Sequence, residues 1–187
     1  MKDFFSDRPQ TARSIQFGLR DLLPVLKSLL SSPIETMKDS LRLDWASAVL
    51  IQVVVAGISG AIAGASTRQA IGAVVGAALF AILALMTVAT VTLFIYSYFS
   101  IFQSTFLDMR RLYSAVILAH LPFFILHSLS GYLAPLDLIG YAAAMIMLSV
   151  ALVEQFSLAR FTVLRLNATL YGFFFLIWMG VQVLAGY

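Results

Sequence analysis

The chain has no cysteine. That excludes disulfide bonds, zinc–thiolate sites and a cysteine nucleophile, while leaving the compartment open. Charge is also scarce: 11% of residues are Asp, Glu, Lys or Arg and 61% are hydrophobic, where ordinary globular chains carry about 25% and about 45–50%. With a mean hydropathy of +0.95, the 187 residues do not suit a water-soluble domain. No H-E-x-x-H, Walker loop, Ser/His/Asp set or paired-carboxylate site occurs. No catalytic residue, cofactor or enzymatic role is therefore expected. His120 and His127 are the only histidines, and two imidazoles without a third nearby ligand make a poor metal site. The first 44 residues are charged throughout and supply no early apolar core of a signal peptide. No cleavable leader is expected, and the first span acts as an uncleaved anchor.

What the chain has in abundance is long apolar runs. Five of them, at about 45–65, 70–102, 112–130, 136–156 and 166–186, meet the roughly 20 residues that a helix needs to cross the hydrocarbon core. The second would form roughly 50 Å of helix, so its Tyr-, Phe- and Ser-rich end around 96–102 is expected to project through the interface. The cations sort cleanly between these runs. Lys2, Arg8, Arg13, Arg20, Lys27, Lys38 and Arg42 precede the first, Arg110 and Arg111 lie between the second and third, and Arg160 and Arg165 between the fourth and fifth. Arg68 alone falls on the other side. Cationic loops resist translocation, which predicts an N-terminus in the cytoplasm and a C-terminus outside. The fold class expected is an all-α integral membrane protein: residues 1–44 form a cytoplasmic, amphipathic or interfacial helical segment, and residues 45–187 a five-helix transmembrane bundle. The aromatic residues fit, with Tyr113 and Tyr171 expected near the inner surface and Tyr132, Tyr141 and Tyr187 near the outer.

Before the first span, residues 12–31 read as an amphipathic helix. Ile15, Leu19, Leu22, Leu23, Leu26, Leu29 and Leu30 recur on one face, and Pro24 is positioned to kink or split it. The leucine stripe can lie on the head groups or on the bundle. Ser32, Pro33 and Glu35 form a helix start: Ser32 as cap, Pro33 at the first helical position, Glu35 completing a capping box. Trp45 falls where the first span enters the membrane.

Several polar or small residues inside the spans call for partners. Gly60 and Gly64 in the first span, with Ala56, and Gly72 and Gly76 in the second lie at four-residue steps. They predict a tight antiparallel hairpin or, alternatively, a homo-oligomer seam. His120 and His127 share a face of the third span, with the kink-forming Pro122 between them. They read as hydrogen-bonded structural groups or as a proton- or ligand-handling pair. Asp137 suits the start of the fourth span's helix, and Glu154, near Arg160 and Arg165, suits a rim salt bridge or a lipid or partner contact. Thr87, Thr90 and Ser97 are expected along one face of the second span, and Gln52, Asn167 and Gln182 to bond between helices.

Three segments resemble the Yip-domain family of Ypt/Rab-interacting membrane proteins and their bacterial relatives. They are Ser32 to Thr36 with Pro33 and Glu35 before the first span, Tyr113 with His120, Leu121 and Pro122 in the third, and Phe156 to Arg160 after the fourth. The resemblance spans about residues 30–187 and is to the bacterial-type members, which lack the long eukaryotic cytoplasmic extension. It implies a multi-pass protein of the bacterial inner membrane.

Two functions follow as expectations. The first is a non-catalytic membrane protein that organises membrane or recruits partners through its cytoplasmic face. Arg110, Arg111, Arg160 and Arg165 would meet anionic lipid head groups there, and a membrane or cytoplasmic protein could dock, but no nucleic acid is expected. The alternative is a small transporter or ion-conducting protein that uses His120, His127 and Glu154.

Overall fold

The computed structural model describes residues 22–38, 43–65, 70–130, 133 and 135–185, and among these there is helix and connecting backbone but no strand. Among the described residues seven helices follow in order: α1 (Leu22–Ser31), α2 (Pro33–Lys38), α3 (Trp45–Ala65), α4 (Ala70–Phe102), α5 (Met109–Ser130), α6 (Leu136–Phe156) and α7 (Arg160–Ala185). The last five are long and apolar enough to cross a membrane, so the architecture is that of a multi-pass membrane protein. The amphipathic segment expected over 12–31 lies within the described residues only from Leu22 on. Arg68, Tyr132, Tyr187 and most of the N-terminal cations lie outside them.

The apolar runs set the bounds of α3, α4 and α6. α5 and α7 begin earlier than hydropathy suggests, so Arg110, Arg111, Arg160 and Arg165 lie in helix and not in loops. The cause at α5 is Asp108. Its carboxylate accepts the amide hydrogens of Arg110 (3.0 Å) and Arg111 (3.2 Å), while its carbonyl accepts that of Leu112. That is an N-cap, and it starts the helix one turn before the apolar run. Asp44 does the same for α3 through the Ser47 amide, and its bonds to Ser47 hold its carboxyl below the usual range. The capping box at α2 is not made. Pro33 opens the helix, but the Ser32 hydroxyl turns back to the Ser28 carbonyl and Glu35 pairs with the Lys38 ammonium at 2.7 Å. The competing charge-assisted bond takes the carboxylate.

α3 and α4 form the tightest pair. A methyl group added at Gly60 would meet the Gly76 carbonyl oxygen and come within 2.6 Å of Phe80 Cβ, and one at Gly64 would meet the Gly72 carbonyl. The two backbones touch directly, as the small-residue spacing predicts. α5 is the central post. Every residue from Leu112 to Leu121 is buried, enclosed by α3, α4 and α6. α6 lies close against it, with Gly140 placed so that a Cβ would stand 2.9 Å from Phe123 Cα. α7 packs along α6 and makes no extended contact with the other spanning helices. Most of its apolar side chains, like those of α4, face outward.

Gly57 and Gly60 separate backbone propensity from helix contact. Nothing lies within 4 Å of a Cβ at Gly57. Gly57→Ala is expected to stabilise by about 0.5–1 kcal/mol, whereas Gly60→Ala should cost about 1–3 kcal/mol by forcing the backbones apart. Thermal unfolding of the purified variants in one detergent checks both signs.

Candidate functional site

The polar groups divide between the two ends of the bundle. The beginnings of α3, α5 and α7 meet the ends of α4 and α6 at one end, and the contacts between them fix this arrangement. Arg110 Nε donates to the Leu43 carbonyl at 3.0 Å. The Arg111 guanidinium lies over the Phe156 ring, 5.1 Å from its centre, a cation–π contact. Arg160 reaches Glu154 at 3.9 Å. Trp45 and Tyr113 rings stand 5.0 Å apart, and the Tyr113 hydroxyl donates to Gln52 Oε1 at 3.1 Å. Gln52 in turn donates to the Ala84 carbonyl at 2.7 Å, so one amide joins α3, α4 and α5.

α2 closes this end. Gln155 Nε2 donates to the Met37 carbonyl at 2.7 Å, Met37 is fully buried, and Ser28 bonds Thr36 at 2.8 Å to hold α1 against α2. The Glu35 carboxylate raises the pKa of the neighbouring Lys38 ammonium, with a further contribution from Glu154. The surface thus formed carries Lys38, Arg110, Arg111, Arg160 and Arg165. A cleft of about 470 Å³ opens on it between the last turns of α4 and the first turns of α7.

The histidines lie away from this surface, and the structure does not bring them together with Glu154. His120 is 1% exposed in the α5–α6 contact, its Nδ1 2.7 Å from the Val116 carbonyl and its ring edge-on to Tyr141. His127 lies two turns further toward the opposite end. Its Nδ1–H donates to Asp137 Oδ1 at 2.9 Å, and its ring stacks on Phe80 at 4.1 Å. Asp137 sits in the first turn of α6 as expected, but its carboxylate serves as a partner for His127. Glu154 is 17 residues along the same helix, roughly 25 Å away. Pro122 lies inside α5, and the helix continues through it to Ser130. Among the described residues no three His, Asp or Glu side chains converge to hold a metal.

Other expectations are corrected. Tyr141 and Tyr171 stack on each other, with centroids 6.2 Å apart, so they share one depth in place of opposite surfaces. The early start of α7 carries Tyr171 deeper than the apolar run implied. On α4, Thr87, Thr90 and Ser97 face outward, and the buried hydroxyl is that of Thr92, bonded to the Val88 carbonyl at 2.7 Å. Asn167 bridges α7 to α6 through Ser149 (2.7 Å) and the Met145 carbonyl (3.2 Å), as expected of an interhelical amide. Gln155 was the main omission. An amide in the last turn of an otherwise apolar span was the available signal.

The three-helix bond of Gln52 gives a direct test. A double-mutant cycle of Gln52→Leu and Tyr113→Phe is expected to return a coupling of about 0.6 kcal/mol, below about 1.7 kcal/mol, as for other hydrogen bonds within membrane bundles. Reversible unfolding in mixed micelles measures it. Comparison with known protein families, characterised proteins and solved structures yields no match.

Proposed function

We propose that the chain is a non-catalytic, multi-pass membrane protein that organises membrane or recruits lipids and partners through the end of the bundle bearing Lys38, Arg110, Arg111, Arg160 and Arg165. The single observation that carries this reading is the gathering of these cations on one surface, sealed by α2 and the Gln155–Met37 bond. Lys and Arg flanking apolar helices favour the cytoplasmic side, which puts this surface at the anionic inner leaflet, where each cation adds about 1 kcal/mol of attraction. The resemblance to bacterial-type members of the Yip-domain family supports the same reading. Pro33 and Glu35 lie in α2, Tyr113, His120 and Pro122 in α5, and Phe156 to Arg160 at the α6–α7 junction. The bacterial inner membrane is the setting that this resemblance implies.

Conduction through His120 and His127 has less behind it. The rings look into different surroundings, one buried against Tyr141 and one beside Asp137 and Phe80. Proton flux in proteoliposomes is expected to be the same for the wild type and the His120→Ala/His127→Ala variant.

The absence of cysteine allows orientation to be read directly. Phe106→Cys, between α4 and α5, is expected to react with a membrane-impermeant maleimide only from the cytoplasmic side, and Leu133→Cys, between α5 and α6, only from the outer side. The opposite pattern sinks the orientation. Neutralising Arg110, Arg111, Arg160 and Arg165 together is expected to abolish enrichment of anionic lipid in native nanodiscs. Unchanged enrichment in that variant would remove the basis for the lipid reading.

A further inference from the structure

The cleft between α4 and α7 is lined by aromatic, aliphatic, amide and cationic side chains. Its walls are Phe94, Tyr98 and Phe102 on α4, Gln103 just beyond it, and Arg165, Leu166 and Thr169 on α7. Apolar and polar groups are thus set side by side. Phe94, Phe102 and Leu166 offer hydrocarbon contact, while the Arg165 guanidinium, Gln103 amide and Tyr98 hydroxyl offer donors. The volume of about 470 Å³ lies within the roughly 300–1,000 Å³ of small-molecule sites.

Two features point to an anion on the Arg165 side. The nearby carboxylate, Glu154, is engaged by Arg160 at 3.9 Å. Among the described residues no acidic side chain pairs with Arg165. A guanidinium with free donors matches the oxygens of a phosphate in a two-point contact. α7 packs along α6 and not along α4, and the cleft lies between α7 and α4. The cleft opens beside the outward apolar faces of both helices, so a molecule with a phosphate head and a hydrocarbon tail fits without stranding either part.

We propose that this cleft is a binding site for one anionic phospholipid of the inner leaflet. Its phosphate sits on Arg165, Gln103 and Tyr98, and an acyl chain runs along Phe94, Phe102 and Leu166. The proposal rests on the reading of this end as the lipid-facing surface, and it replaces a diffuse attraction by one defined seat. Thr169 lines the wall as an acceptor only, because its hydroxyl hydrogen is committed to the Arg165 carbonyl at 2.9 Å.

Native mass spectrometry of the full chain, released from micelles with added phosphatidylglycerol or phosphatidylcholine, tests the seat. The wild type is expected to retain one phosphatidylglycerol in preference to phosphatidylcholine. Arg165→Gln should weaken that retention roughly five- to tenfold, with Arg165→Lys recovering part of it. Arg68→Gln removes one cation between α3 and α4 and should leave retention unchanged. Circular dichroism and size-exclusion profiles establish that each variant is folded. If the wild type prefers phosphatidylglycerol but Arg165→Gln retains it equally, the seat is refuted and the broader reading stands. If the wild type shows no preference, both fall. Displacement of the lipid by inorganic phosphate would assign the cleft to a free anion and overturn the phospholipid.

Discussion

Helices surrounded by lipid gain nothing from hiding apolar surface from water, so their association depends on close packing and satisfied polar groups. Here that constraint is met first at the contact of α3 with α4, where Gly60, Gly64, Gly72 and Gly76 let one backbone rest on the other. The rest of the bundle follows from it. Only with the two axes this close does the Gln52 amide reach the Ala84 carbonyl and still accept the Tyr113 hydroxyl from α5. The pair then presents one flank to α5, and α6 closes the other side through Gly140. α5 can afford a buried histidine because this enclosure keeps it away from lipid entirely.

The spanning helices were legible because an apolar run long enough to cross a bilayer has few other uses. α3, α4 and α6 begin and end where hydropathy places them. The starts of α5 and α7 were not legible from hydropathy, since the charged first turns of these helices belong to the interface and are helical for a different reason. At α5 that reason is an aspartate cap, visible in the sequence at Asp108 but outweighed by the neighbouring arginines. The polar partners were half legible. Gln52 and Asn167 stood out as amides that had to be satisfied, yet their partners are a backbone carbonyl, a tyrosine and a serine that no spacing rule selects. Thr87, Thr90 and Ser97 face outward and Thr92 inward because the orientation of α4 is set by its glycine face, near the other end of a 33-residue helix.

The two ends of the bundle are built on different chemistry. One end ties its groups by charge to backbone, charge to ring and amide to carbonyl, with Arg110, Arg111 and Gln155 each fastening one segment to another. At the other, among the described residues, an imidazole–carboxylate pair joins α5 to α6 under a phenylalanine ring. The first arrangement leaves cationic surface displayed, and the second uses its charge internally.

α7 is the exception to the packing that unites the other four spans. Asn167 supplies the interhelical hydrogen bonds seen from it, and its contacts run mainly along α6, with Phe174 edge-on to Phe123 of α5. The order of synthesis gives this a meaning in assembly. α3 to α6 precede α7 in synthesis and contain among themselves the glycine contact, the Gln52 junction and the enclosed α5. α7 comes last, and its docking on α6 sets the second wall of the cleft beside α4.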